Sequence, residues 1–248
     1  MHPEIQQFII GHANCQFDWP VPPSGDINTQ FAWIANHSNI PWLEIVGIDA
    51  PYAAMLAEAQ ALRSRFVAHR ATEQHQGWMS LCIHGISAEH TTFAEAYGLD
   101  PAVVKYDWTD IQDSCPVTVS FFRDQFPYKS YQRVRYMLLQ PSGYIAPHCD
   151  FPQNSVINAV NISLNQPDNC VLVTEHGTVP FKDSGSIFAF NNHYRHAVTN
   201  PSDQERYHII VHGEFSDQFK VHVVVSYQKF IKSMPPLQVS TAKGPATD

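Results

Sequence analysis

Residues 133–150 read RVRYMLLQPSGYIAPHCD, a run of apolar and aromatic residues that ends in a His-x-Asp pair. In an extended segment alternate side chains project to the same side, so His148 and Asp150 face one point while Cys149 faces away. We therefore expect Cys149 to be a core or supporting thiol and not a ligand. A local His/Asp pair joined by one distant residue can hold a single metal ion, so this stretch predicts a strand that carries two ligands.

The third ligand is predicted to be His196, which follows the apolar segment GSIFAF at 185–190 and a short turn. Two imidazoles and one carboxylate hold one face of an Fe(II) octahedron and leave three positions open. Three nitrogen or oxygen ligands plus water would also suit a catalytic zinc ion. The chain has other histidines that compete with His196 for this role, namely His193, His208 and His212.

Arg206 lies ten residues after His196. Its guanidinium is a permanent cation with paired donors, which suits the outer carboxylate of a dicarboxylic acid such as 2-oxoglutarate. Zinc chemistry gives no reason for an arginine at this position. We interpret His208, on the same strand face, as a possible supporting group of the cosubstrate site and His212 as structural.

Short segments rich in β-branched and aromatic residues alternate with turn signals from Arg133 onward. Strands are predicted at 133–139, 144–147, 156–164, 170–175, 186–190, 196–199 and 207–215, with turns at 141–143, 165–169, 182–185 and 200–203. Many short strands without helix-length connections favour a jelly-roll or cupin-like barrel over a parallel α/β fold.

The rest of the chain has weaker patterns. Residues 51–69 predict the clearest helix, residues 77–83 a strand, and 91–103 a short helix. Residues 1–50 are interpreted as irregular, and 220–234 are ambiguous between strand and helix.

These patterns together predict a mainly β fold with some α, namely a double-stranded β-helix core with N-terminal helical elements. We expect a single oxygenase domain over residues 1–234. Within it a mixed part, 1–130, would pack on a β core at 131–215, and a flexible tail would follow at 235–248.

Composition narrows the possible partners. The net charge is −8 and no run of Lys or Arg occurs, which argues against nucleic acid as a partner. The five cysteines are widely spaced without a C-x-x-C pair, which is typical of a reducing, cytoplasmic compartment. No apolar run reaches the roughly 18 residues of a membrane span, and the N-terminus lacks the basic start of a signal peptide. We expect a cytoplasmic protein with a small-molecule substrate.

The segments at 133–150 and 185–213 resemble the aspartyl/asparaginyl β-hydroxylase family of 2-oxoglutarate oxygenases. That family carries a Pro-Gly-x-x-x-x-Pro-His motif, which Pro141, Pro147 and His148 fit, with Ser142 in place of the glycine. The resemblance covers about residues 78–213 and is strongest over the last eighty of them.

The resemblance implies a double-stranded β-helix, Fe(II) on His148, Asp150 and His196, and 2-oxoglutarate with its outer carboxylate on Arg206. It also implies that Asn161 lies near the metal and cosubstrate. Mammalian aspartyl hydroxylases of the family have glycine where this chain has Asp150, so the metal site is more similar to that of the proline cis-hydroxylase branch.

The expected reaction is the O2-dependent hydroxylation of an unactivated C–H bond in a small polar substrate. The substrate class we expect first is a free amino acid, and the second is an aspartyl, asparaginyl or prolyl residue. Arg133, Arg135 and Arg195 could bind a substrate carboxylate, although each could equally be a solvated surface charge. The alternative is a non-oxidative cupin-like metal protein, either an isomerase or a metal-dependent binding module, which would give Arg206 no 2-oxoglutarate to bind.

Overall fold

The structure is a computed structural model, and it describes residues 3–12, 21–37, 40–70, 75–150, 159–181 and 185–233. Its α-helices are α1 (Pro3–His12), α2 (Ile27–His37), α3 (Tyr52–Ala61), α4 (Pro116–Ser120) and α5 (Asp217–Ser233). Its strands are β1 (Trp42–Glu44), β2 (Val67–Ala68), β3 (His75–Gly85), β4 (Asp107–Trp108), β5 (Tyr128–His148), β6 (Ala159–Ser163), β7 (Val171–Thr174), β8 (Gly177–Thr178), β9 (Ile187–Phe190), β10 (His196–Thr199) and β11 (Arg206–Phe215).

The strands form an antiparallel sheet in the order β1-β9-β6-β11-β5-β10-β7-β8, and β3 also pairs with β5. Strand β5 is 21 residues long and serves both halves of this sheet. Its first part, up to Leu139, pairs with β11, and its last part, from Tyr144, pairs with β10. The sheet therefore curls over at β5, and the predicted mainly β, double-stranded β-helix architecture is confirmed.

The turn predicted at residues 141–143 is wrong. These residues belong to a bulge within the continuous strand β5, where Gly77 of β3 lies opposite all of residues 140–143. The buried Asn200 side chain donates from Nδ2 to two carbonyl oxygens at the start of the bulge, at 3.1 Å each. Proline, serine and glycine favour a bulge for the same conformational reasons that they favour a turn, so the local sequence does not separate the two.

Residue alternation along β5 gives the sheet two chemically different faces. Val134, Tyr136 and Leu138 are fully buried in the main hydrophobic core, which helices α2, α3 and α5 cover. Arg133 and Arg135 project to the opposite face, into the interior of the curled sheet. The apolar face thus stabilises the fold, while the interior face is polar and available for function.

Two predictions for the N-terminal region are corrected. Residues 1–50 are not irregular, because they contain α1, α2 and β1. The helix predicted over 51–69 begins at Tyr52 but ends at Ala61, and residues 67–68 instead pair with β3 as β2. β-branched Val67 fits a strand better than a helix, and tertiary pairing overrides the apolar periodicity.

The other predicted elements are largely confirmed. The strands expected at 77–83, 170–175, 186–190, 196–199 and 207–215 are present within two residues at each end. The short helix expected within 91–103 is a 3-10 helix at Ala94–Tyr97, and the ambiguous segment 220–234 lies mostly in α5. Part of the expected strand at 156–164, part of the turn at 182–185 and the tail at 235–248 lie outside the described residues.

The N-terminal part shares the sheet with the barrel strands, since β3 pairs with β5 from His75↔Ile145 to His84↔Val134. On this basis we propose that residues 1–234 form one domain. In the described part of the chain, none of the helices has the length and apolar character needed to cross a lipid bilayer.

Ile209 offers a direct test of this packing, because it is fully buried on β11 between β5 and β6. We predict that Ile209→Ala lowers the free energy of unfolding by about 2–5 kcal/mol, because it leaves a cavity in the core. Urea denaturation measures the change. Val103→Ala, at a side chain that is 72% exposed, serves as the control and should change the free energy by about 0.5 kcal/mol at most. Equal effects at both positions would refute the packing described here.

Candidate active site

His148 and His196 are brought together by strand pairing. His148 ends β5, His196 begins β10, and the two residues are direct partners in the antiparallel ladder. Their ring centroids are 4.4 Å apart. Asp150 follows two residues later, and its backbone N–H donates to the carbonyl oxygen of Asn192 at 3.1 Å. One ligand atom from each of the three residues lies within 4.8 Å of the other two, so the predicted triad converges on one point.

The hydrogen bonds of the two imidazoles fix which nitrogen faces that point. The Nδ1 atom of His148 lies 2.8 Å from the carbonyl oxygen of Ala146, and Nδ1 of His196 lies 2.9 Å from that of Tyr194. A carbonyl oxygen only accepts, so both Nδ1 atoms carry a proton. In the neutral form of each ring Nε2 then carries the lone pair, and the two Nε2 atoms lie 3.5 and 3.8 Å from the Asp150 carboxylate. This is the donor arrangement that a divalent metal ion requires.

The charge states of Asp150 and His196 also suit a cation. Burial disfavours the charged form of Asp150, but the neighbouring His148, His196 and Arg70 hold the pKa of its carboxyl well below the usual range. Burial, with His148 nearby, lowers the pKa of His196 to about 4, so this imidazole is neutral at neutral pH. A carboxylate and neutral imidazoles are the forms that bind metals.

Both oxygens of Asp150 are held by further side chains. Arg70 donates from Nη1 to Oδ1 at 3.0 Å, and Asn192 donates from Nδ2 to Oδ2 at 3.4 Å. Such contacts orient a ligating carboxylate. Sequence reasoning assigned neither residue to the support of Asp150. Arg70 is 80 positions before Asp150 in the sequence and carries no motif, so nothing in the local pattern could have identified it.

Arg206 is a buried cation, with 1% of its surface exposed. Its Nε donates to Oε1 of Gln166 at 3.3 Å and its Nη1 donates to Nδ1 of His208 at 3.2 Å, while Nη2 has no hydrogen-bond partner in the described part of the chain. The Phe181 ring covers the guanidinium at 5.3 Å. None of the described carboxylates forms an ion pair with it. Because an unpaired buried charge is costly, Arg206 is suited to an anionic ligand.

His208 and Asn161, the other two predicted cosubstrate residues, also lie inside the curled sheet. Burial lowers the pKa of His208 far below its usual value, so the neutral ring accepts from Arg206 and helps to fix its position. Asn161 is fully buried on β6 and pairs with Ile210 of β11. On its other side Ile210 pairs with Arg135 of β5. Its Nδ2 has no partner among the described residues. An amide with a free donor is therefore available in this interior.

A cavity opens next to Asp150 and runs along the interior face of the sheet. Among the residues that line it are Trp78, Arg133, Arg135 and His212. Arg133 and Arg135 are buried, so the alternative that they are solvated surface charges is wrong. His212, interpreted from sequence as structural, contributes to the wall of this cavity.

Two other predictions about this region can be compared with the structure. Cys149 is not part of the cluster of ligand atoms formed by His148, Asp150 and His196. Its side chain is exposed, so the expectation of a core thiol is wrong. Arg195 is also exposed and lies over the Phe8 ring at 5.9 Å, which places it on the surface.

The sequence matches the family model described as aspartyl/asparaginyl beta-hydroxylase over residues 47–214. The chain therefore belongs to this family. It is an Fe(II)- and 2-oxoglutarate-dependent oxygenase, and the non-oxidative alternative does not account for the match. A search of curated proteins finds no match.

Solved structures that resemble this chain include a 2OG-Fe(II) oxygenase family oxidoreductase from Burkholderia pseudomallei, with 15% identity, 78% of this chain and 92% of that chain covered, and a TM-score of 0.43. A Trichoplax adhaerens prolyl hydroxylase, in complex with a hypoxia inducible factor peptide fragment, has 14% identity, 79% and 91% coverage, and a TM-score of 0.44. A Pseudomonas putida prolyl-4-hydroxylase has 12% identity, 77% and 100% coverage, and a TM-score of 0.43. These identities and scores are low, so the family assignment rests on the sequence match.

The geometry of the triad predicts the effect of removing a ligand. We expect His148→Ala, Asp150→Ala and His196→Ala each to lower the affinity for Mn(II), used as an air-stable substitute for Fe(II), by at least about 100-fold. Calorimetric titration measures this affinity. The exposed His37→Ala is the matched control and should bind Mn(II) like the parent. A triad variant that keeps the parent affinity would show that the metal binds elsewhere.

Buried neutral histidines predict how stability depends on pH. Burial lowers the pKa of His69 to about 2 and those of His208 and His212 far below their usual values. Below about pH 6.5 the unfolded chain protonates these rings and the folded chain does not. Their stabilising contribution is complete above pH 6.5 and declines as the pH falls, by about 1.4 kcal/mol per histidine for each further pH unit.

The measurement is urea unfolding of the metal-free protein from pH 7 to pH 5. Near pH 5, His69→Asn should reduce the slope of the unfolding free energy against pH by about 1.4 kcal/mol per pH unit, which corresponds to one proton. The exposed His37→Asn should leave this slope unchanged. If both variants keep the parent slope, the ring of His69 is protonated in the folded protein and its assigned neutral state is wrong.

Proposed function

We propose that the protein binds Fe(II) through His148, Asp150 and His196, and 2-oxoglutarate through Arg206, and that it hydroxylates an unactivated C–H bond of a small polar substrate. The lead substrate class is a free amino acid. An aspartyl, asparaginyl or prolyl residue of a peptide is the second. The observation that carries this proposal is the convergence of two free Nε2 atoms and a carboxylate on one point, in a sheet interior that also holds the unpaired Arg206.

Fe(II) with 2-oxoglutarate supplies the oxidative chemistry, in which one oxygen atom of O2 enters the substrate and the other enters succinate as CO2 is lost. The protein contributes binding and orientation. His148 and His196 present Nε2 because their Nδ1 protons are held by backbone carbonyl oxygens. Asp150 adds a negative charge at a position fixed by Arg70 and Asn192.

Arg206 is proposed to pair with the outer carboxylate of 2-oxoglutarate through its free Nη2 donor. His208 holds the guanidinium from one side and Gln166 from the other, so its orientation is set before the ligand arrives. Asn161 is proposed to donate its free amide N–H toward the same cosubstrate. The burial of Arg206, His208 and Asn161 keeps water away and strengthens each electrostatic contact.

The presence of Asp150 supports the free amino acid as the lead substrate class. By its complete triad, the chain resembles the proline cis-hydroxylase branch more than the mammalian aspartyl hydroxylases. The cavity beside Asp150 is also a walled interior space, which suits a compact ligand.

The 2-oxoglutarate site predicts that Arg206→Met lowers the affinity for 2-oxoglutarate by at least about 100-fold, because a buried, charge-assisted contact is lost. Calorimetry on the Mn(II)-loaded protein measures this. The affinity for Mn(II) itself should remain within about threefold. Arg65→Met, at an exposed arginine paired with Glu89 and Asp110, is the matched control and should bind 2-oxoglutarate normally. Undiminished binding by Arg206→Met would exclude Arg206 as the cosubstrate residue.

The reaction is tested by anaerobic reconstitution with Fe(II) and 2-oxoglutarate, followed by exposure to air with a panel of amino acids. We expect succinate formation to be stimulated by at least one amino acid, which gains one oxygen atom by mass spectrometry. The same mixture with His196→Ala should form none. Succinate formation that no amino acid stimulates would reject a free amino acid as the substrate. The second class, a residue of a peptide, would then be tested.

A further inference from the structure

Arg133 and Arg135 are two buried cations on one face of β5, with 4% and 6% of their surfaces exposed. Their Nε atoms have no hydrogen-bond partner among the described residues. Arg135 donates from Nη1 to the carbonyl oxygen of Thr91 at 2.7 Å, and Arg133 lies 4.6 Å from the Phe93 ring centroid. These contacts position the two guanidiniums but leave donors of both free.

No carboxylate neutralises this pair in the described part of the chain. Every ion pair there that involves an arginine uses Arg63, Arg65 or Arg70. The carboxylate of Asp150 borders the same cavity, but it is paired with Arg70 and assigned to the metal.

The charges of the pair persist at neutral pH. Burial, with Arg133 nearby, lowers the pKa of Arg135 to about 10, which still leaves it protonated at neutral pH. Burial also lowers the pKa of Arg133, but an arginine guanidinium in a protein keeps its proton at neutral pH. The neighbouring His69 and His212 are neutral because burial lowers their pKa values. Two adjacent positive charges without a counter-charge repel each other and lose hydration, which a bound anion would relieve.

The pair is separate from the proposed 2-oxoglutarate residue. Arg133 and Arg135 line the cavity next to Asp150, and Arg206 is not among its lining residues. On β11 the partner of Arg206 is Leu139, four residues beyond Arg135 along β5. Successive residues on one face of a strand are about 7 Å apart, so Arg135 and Leu139 are about 13 Å apart along β5. The interior therefore holds two distinct cationic positions.

We propose that Arg133 and Arg135 form a binding site for a carboxylate group of the substrate, distinct from the site for 2-oxoglutarate. The reaction at this substrate rests on the proposed function, but the binding of the anion does not. Two guanidiniums on one face present planar, paired donors that match a carboxylate. The substrate class is accordingly a carboxylic acid, such as an amino acid with its carboxylate free, whose reacting carbon lies toward Asp150.

The first test needs no ligand. A buried cation kept for ligand binding lowers the stability of the free protein, so Arg133→Met and Arg135→Met should each raise the thermal unfolding midpoint by several degrees. The exposed Arg65→Met is the control and should shift the midpoint by about 1 °C at most. A midpoint lowered by several degrees in both variants would mean that the two arginines hold the structure together, and would overturn the proposal.

The second test uses protein loaded with Mn(II) and saturating 2-oxoglutarate. Calorimetry compares L-proline, L-aspartate and L-asparagine with their C-terminal amides, and with inorganic phosphate. We expect at least one free acid to bind at least tenfold more tightly than its amide, and this preference to fall to less than threefold in Arg133→Met and Arg135→Met. Arg133→Lys and Arg135→Lys, which keep the charge, should retain part of it and serve if the methionine variants do not fold.

Three outcomes would overturn the proposal: equal binding of acids and amides, binding of phosphate but none of the acids, or a preference that survives both substitutions. Failure of this inference is distinguishable from failure of the proposed function. If 2-oxoglutarate binding depends on Arg206 but no acid preference depends on Arg133 or Arg135, only the substrate site is wrong. If Arg206→Met leaves 2-oxoglutarate binding intact, the proposed cosubstrate site is wrong, whatever the acids do.

Discussion

The pairing of β5 with both β10 and β11 is the constraint on which the rest of the structure depends. His196 lies opposite His148 in one ladder and Arg206 lies opposite Leu139 in the other. A shift of either ladder by one residue would turn the affected side chains to the other face of the sheet. The bulge at 140–143, held by Asn200, separates the two ladders and so fixes how far the candidate metal ligands lie from Arg206.

The interior face of the curled sheet has a composition that does not favour stability. Three buried arginines, Arg133, Arg135 and Arg206, have no carboxylate partner in the described part of the molecule, and Asn161 keeps a free amide donor there. The apolar face of the same strands compensates, since Tyr136 and its neighbours pack against α2, α3 and α5. A protein tolerates such an interior where ligands complete it, and the proposed binding of two anions beside a metal ion would do so.

Much of the candidate site was predictable from sequence because most of its residues lie in strands and Asp150 directly follows one. Alternation placed His148 and Asp150 on one side, and the spacing to His196 and Arg206 reflects a barrel topology that the family shares. The β core was predictable for the same reason, because short apolar segments separated by turn signals have a simple period. The family match over residues 47–214 agrees with both.

What the sequence did not predict depends on tertiary contacts. Arg70 reaches Asp150 from a distant segment, and no local pattern encodes that contact. The end of α3 is set by the pairing of β2 with β3, which overrides the helical periodicity up to residue 69. Helix α2 was missed because the turn-forming Pro20, Pro22 and Pro23 precede it, although its buried Ile34 packs into the main core.

The most direct test of the central claim is a crystal structure of the protein grown anaerobically with Fe(II) and 2-oxoglutarate. We predict iron bonded to Nε2 of His148, Nε2 of His196 and a carboxylate oxygen of Asp150, with the outer carboxylate of 2-oxoglutarate on Arg206 and the Arg133–Arg135 pair still free for substrate. Iron at other residues, or 2-oxoglutarate with its outer carboxylate on Arg133 and Arg135, would contradict the account.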